Sequence, residues 1–175
     1  YTPGEPAPRD RPELLLNSLN FNVHTGFTDI QYLNAKLLPP EPALHMAVMG
    51  YIPIYKPMAQ LAIGAETGAY AAMSLRLQNQ YHVAVPVLAH LHYGAGAYTD
   101  ARKWFGFGAG FGVEPHWTYQ QQETVAQATS LAGFLEFTLY QTSSTGMALR
   151  YQTSLLSSYY HKQVLSANFL WHLPF

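Results

Sequence analysis

The last eleven residues, 165–175, alternate strictly. Leu165, Ala167, Phe169, Trp171, Leu173 and Phe175 hold the odd positions; Ser166, Asn168, Leu170, His172 and Pro174 hold the even ones. Successive side chains of a β-strand point to opposite faces, so this period of two predicts a strand with one apolar face. The same period recurs upstream and predicts eight strands: 16–27, 44–55, 59–74, 80–93, 105–117, 130–141, 146–155 and 165–175. The fifth is the clearest. Phe105, Phe107, Ala109, Phe111, Val113 and Trp117 face one way; Gly106, Gly108, Gly110, Gly112 and Glu114 face the other. This alternation of Gly with aromatics marks a strand whose small face turns into a crowded interior, not a phosphate loop. The chain shows no helical period of useful length and no Walker or dinucleotide fingerprint.

The charges decide which face is inside. Only 11% of the 175 residues are charged, while 49% are hydrophobic and 14% aromatic; a soluble domain carries about 25% charged residues. No stretch approaches the ~18–20 consecutive apolar residues of a spanning helix. Within strand bodies the charged positions are Glu66, Glu114, Glu136 and Arg150, all opposite the apolar stripe. A soluble barrel or sandwich, the competing reading, would carry many Lys and Glu on its outer face. Here the non-apolar face holds Gly, Ala, Asn, Gln and His instead. That composition predicts an all-β fold: an eight-stranded antiparallel up-and-down transmembrane β-barrel with a closed, side-chain-filled lumen.

The organisation follows. Residues 1–15 carry Pro3, Pro6, Pro8 and Pro12 and read as an extended periplasmic tail; residues 16–175 form the barrel. An even strand number puts both termini on one side, with short turns at 55–58, 94–102 and 141–145. The opposite side takes loops 28–43, 76–79, 118–127 and 157–162. Tyr55, Trp104, Trp117, Tyr119, Tyr159, Tyr160 and Trp171 fall near strand ends, where interfacial aromatics belong. The absence of cysteine removes disulfides and thiolate chemistry, and a net charge of −1 argues against nucleic acid. The opening Tyr1, without Met, is the expectation for a processed mature chain.

Residues 16–175 resemble the small eight-stranded outer-membrane barrels of Gram-negative bacteria. The closing strand, 165–175, resembles the terminal-Phe signal of such proteins. That resemblance implies contact with outer-membrane lipid and recognition by the assembly machinery through Phe175. Tyr81-His-Val-Ala-Val-Pro-Val-Leu-Ala89, followed by 105–113, resembles the porin-like barrel family of Bacteroidota, which implies a fold and a location but no single activity.

Candidate chemistry lies in the lumen. A hairpin turning near Ser143 places Glu136 opposite Arg150, and a turn near Gln78 places Glu66 opposite His90; Glu114 lies on a neighbouring strand. These five residues form the expected polar network, since buried charges need partners. His82, His90 and His92 with Glu66 could instead hold a metal, because His at i and i+2 share a face. Side chains filling a narrow interior account for them without one, so no cofactor is expected. Lipid A hydrolysis would need a His–Ser pair. Tyr160, His161 and Ser166, with Ser154 and Ser157, are the nearest candidates, but His161 and Ser166 differ in parity. A pore needs more strands. The remaining reading is a non-enzymatic accessory or structural subunit of an envelope complex. Its contacts would run through tail 1–15 or loop 28–43, with Ala109 and Gly133 allowing close approach in lipid.

Overall fold

A backbone that crosses lipid must satisfy its N–H and C=O groups internally, and a sheet can do so only by closing on itself. The computed structural model describes residues 12–16, 18–32, 41–76, 80–95, 97, 104–120, 123–140, 145–156 and 160–174. Its strands are β1 (Glu13–Leu14), β2 (Ser18–Tyr32), β3 (Glu41–Met58), β4 (Leu61–Ser74) and β5 (Gln80–Ala84). They continue with β6 (Val87–Gly94), β7 (Phe105–Gln120), β8 (Glu123–Tyr140), β9 (Thr145–Leu156) and β10 (Tyr160–Pro174). All the pairings are antiparallel, and β10 pairs with β2 from Tyr160↔Tyr32 to Pro174↔Ser18. That last ladder closes the ring.

The ten segments make eight staves, because two staves are broken. β1 pairs with β3 through Glu13↔Lys56 and Leu14↔Tyr55, continuing the edge along which β2 pairs with β3 from Asn20↔Tyr51. Pairing therefore begins at Glu13, before the expected start at Leu16. Leu15 N–H still donates to the Ile54 carbonyl at 2.8 Å, and Lys56 Nζ meets Glu13 Oε2 at 2.8 Å. The second break falls at Val85–Pro86. Proline has no N–H for the ladder, and another proline, Pro115, stands across on β7. The Val85 N–H reaches the Pro115 carbonyl at 3.0 Å, and the Thr67 hydroxyl caps the Pro86 carbonyl at 2.9 Å. β5 and β6 both lie between β4 and β7 and so form one stave.

Several strands run further than expected. β2 continues to Tyr32 and β3 begins at Glu41, so much of the expected loop 28–43 is sheet. β3 passes through Tyr55–Pro57 to Met58, and the turn falls at Ala59–Gln60, with Gln60 at φ 67°. β7 and β8 pair to Gln120↔Glu123 and replace the expected loop 118–127; β10 starts at Tyr160. The reason lies in the outer face. At the end formed by residues 28–32, 118–127 and 160–164, Asp29, Gln120, Gln127 and Gln163 are exposed while Ile30 and Val164 are buried. The hydrophobic sense of the alternation is reversed there, so a search for an apolar outer stripe stops too early.

Elsewhere the two faces separate as the pattern requires. Phe107, Phe111, Leu135, Leu149, Leu165 and Phe169 are exposed. Glu66, Glu114, Glu136, Arg150, Asn168 and Thr138 are buried. A barrel with charge inside and Phe and Leu outside is the inverse of a soluble fold, and it spans a bilayer. Tyr55, Tyr93, Trp104 and Trp171 stand exposed around one rim. Residues 1–11, residues 33–40 of the expected loop 28–43 and Phe175 lie outside the described residues, as does the side chain of His172.

Candidate functional site: the lumenal charge network

Small residues in the wall make room for the site. Gly64, Gly68, Gly108, Gly110 and Gly112 face the interior opposite larger side chains, and a Cβ at Gly110 would lie 2.3 Å from the Phe134 ring. Eight staves leave an interior just wide enough for side chains. In this chain they fill it in two layers.

The first layer is built on Arg150 of β9. In the ladder it stands beside Glu136 of β8, and its Nε donates to Glu136 Oε2 at 2.9 Å. The guanidinium then crosses the barrel. Its Nη1 and Nη2 donate to Glu66 Oε1 and Oε2 at 2.5 and 2.7 Å. β4 and β9 are four staves apart in a ring of eight, so Arg150 is a strut across the full lumen. The two parallel bonds to Glu66 are the fork geometry that suits guanidinium to carboxylate. The Phe134 ring lies 3.9 Å beneath the guanidinium carbon. Asn168 Nδ2 donates to Glu136 Oε2 at 3.2 Å.

His90 is not opposite Glu66. The β4–β6 register pairs Glu66 with Leu88 and His90 with Gly64. The register is shifted by two residues from the one that a turn centred on Gln78 would give. An even shift preserves the face, so His90 still points inward. Its Nδ1 lies 3.1 Å from Glu66 Oε2, though not aligned as a hydrogen bond.

Glu114 makes no contact with Arg150 and centres a second layer. Lys162 Nζ, from β10, donates to Glu114 Oε1 at 2.5 Å and also to the Tyr70 hydroxyl. Gln152 Nε2 donates to Glu114 Oε2 at 2.7 Å, and the Tyr70 hydroxyl to Oε1 at 3.1 Å. Lys162 also lies 3.8 Å above the Tyr70 ring. Sequence reasoning placed Lys162 in a loop. Its even parity within the closing strand was the signal that could have put it inside.

His82 stands apart from His90 and His92, bonded through Nδ1 to Thr118 Oγ1 at 2.7 Å. The hydrolase candidates do not meet. His161 sits on the outer side near Gln163, while Ser154 and Ser166 are buried. Ser157 lies outside the described residues.

Chemically, the two layers seal. Taking an ion out of water costs several kcal/mol, and the attraction between partners recovers this only when geometry is good and remaining lone pairs are filled. Arg150 and Lys162 meet that condition with bonds from more than one stave. The struts tie distant staves together across the described lumen.

No protein-family profile matches the chain, and no curated protein matches it. Solved structures do. Neisserial surface protein A superposes with a TM-score of 0.62 at 8% identity, covering 90% of this chain and 97% of that one. Ail, the attachment invasion locus protein of Yersinia pestis, gives 0.58 at 8% identity over 91% and 100%. The N-terminal β-barrel domain of Pseudomonas aeruginosa OprF gives 0.51 at 10% identity over 89% and 98%. The closed ring of eight staves, apolar outside and charged within, has the fold of these small transmembrane β-barrels.

Proposed function

We propose that the chain is a non-enzymatic barrel of a Gram-negative outer membrane, serving as an accessory or structural subunit of an envelope assembly. Both termini face the periplasm, and the barrel is of the porin-like type that Tyr81–Ala89 and 105–113 resemble. The filled lumen carries the non-channel part of this reading: Arg150 and Lys162 bridge distant staves where a conduit would run. The outer wall supports the subunit part. A groove of about 590 Å³ opens there, lined by Ala89, Leu91, Ala109, Phe111, Gly133 and Leu155. Small residues let a neighbouring element approach closely in lipid, where apolar burial alone drives little association. The tail 1–15 and loop 28–43 would add contacts outside the bilayer.

Gentle solubilisation of native membranes followed by size separation tests the proposal. The chain should migrate with partner proteins, well above the 19.5 kDa of a lone barrel, and Gly133→Leu should release it. A wild-type chain that runs as a monomer under every mild detergent contradicts the subunit reading. In planar bilayers the purified protein should show no steady conductance, and it should leave lipid A acyl chains intact.

A further inference from the structure

We infer that His90, His92 and Glu136 form a lumenal binding site for a divalent transition metal of the zinc class. One ring nitrogen from each histidine and a carboxylate oxygen of Glu136 lie within 4.8 Å of one another, and all three residues are buried. Two neutral imidazoles and a carboxylate form a donor set that zinc accepts, leaving one position for water. Tetrahedral coordination needs donors about 3.4 Å apart, which small ring rotations supply.

Four independent features point to a cation. The first is unmet capacity: His90 Nε2 and at least one ring nitrogen of His92 are buried without a hydrogen-bond partner within the described structure. Burying such groups unpaired is costly, so the arrangement is explained if a ligand takes their lone pairs. The second is the space between them. The donors come from β6 and β8, and the residue of β7 between them is Gly108, paired with His92 on one side and Glu136 on the other. A methyl group at 108 would lie 2.7 Å from His90 Nε2 and 3.7 Å from Glu136 Oε1, in the gap where the ion would sit.

The third is the outer support of each donor. Metal-bound histidines direct their second nitrogen to a carboxylate or backbone group, which fixes the tautomer. His90 Nδ1 faces Glu66 Oε2 at 3.1 Å, leaving Nε2 toward Gly108, and the Ala95 backbone lies beside the His92 ring. Glu136 is held through Oε2 by Arg150 and Asn168, so Oε1, which accepts only from the Thr138 hydroxyl at 3.4 Å, is the oxygen offered. The fourth is charge. Among the described residues, three buried carboxylates, Glu66, Glu114 and Glu136, face two buried cations, Arg150 and Lys162. His82 and Glu66, part of the sequence-based metal set, are not donors; Glu66 acts behind His90.

The test is full-length untagged protein, refolded into detergent after chelation with Co²⁺ or Zn²⁺ present, then desalted. The expected result is one metal per chain with the visible absorption of tetrahedral Co²⁺. His92→Gln and Gly108→Ala should each weaken binding by about tenfold or more, while β-sheet circular dichroism and heat-modifiable gel migration are unchanged. Ser130→Ala, a buried lumenal change beside Glu114 in the other layer, should fold and keep the metal. A wild-type chain that folds without retaining either ion overturns the site. So does equal retention by His92→Gln and Gly108→Ala.

Discussion

Arg150→Met is expected to destabilise the barrel by about 3–5 kcal/mol, the cost of leaving buried carboxylates without their partner. Arg150 is 2% exposed and supplies three of the hydrogen bonds received by Glu66 and Glu136. Removing it strands two negative charges in a closed interior. Urea unfolding in detergent micelles or vesicles, followed by tryptophan fluorescence, measures the loss. The triple variant Glu66→Gln, Glu136→Gln, Arg150→Met should recover most of it, because neutral groups of similar size no longer demand a counter-ion. A single variant as stable as wild type would mean that water enters the lumen and solvates the carboxylates.

The second large effect concerns the opposite face. Phe111→Arg should cost about 2–4 kcal/mol in a bilayer, the penalty for a guanidinium near the membrane midplane on a barrel wall. Phe111 is 67% exposed and pairs across to Ala89 and Gly133 within the apolar belt. Gln163→Arg, at the end where exposed side chains are polar, should cost no more than about 1 kcal/mol by the same depth dependence. Vesicle-based unfolding of the two variants gives the comparison. Equal costs would place Phe111 outside lipid.

Much of the fold was legible because one rule, parity, governs every strand. Glu66, Glu114, Glu136 and Arg150 share the even face with Asn168 and Thr138, and parity alone puts them on one side of the sheet. Glu136 and Arg150 could be placed opposite each other because a short hairpin leaves little freedom in register. Glu66 and His90 could not, because parity is blind to a shift of two residues. Strand ends were lost for another reason. Beyond the apolar belt, Ile30 and Val164 turn inward while Asp29 and Gln163 turn outward, so hydrophobicity no longer marks the outer face. Lys162 was lost with them, and with it the second charged layer. The gap at Gly108 was invisible because it depends on three adjacent strands, and a sequence states no pairing across the second.

The central claim is that odd-numbered side chains of β7 and β10 meet lipid while even-numbered ones meet the lumen. The chain has no cysteine, so single-cysteine variants can be made on an unmodified background. Spin labels at each position from Phe105 to Val113 and from Leu165 to Trp171, in vesicles, report accessibility to oxygen and to a water-soluble nickel chelate. The account predicts oxygen accessibility with a period of two, maximal at Phe107, Phe111, Leu165 and Phe169, with the chelate excluded from both faces of the belt. Odd positions shielded from oxygen, with even positions open to the chelate, would contradict it.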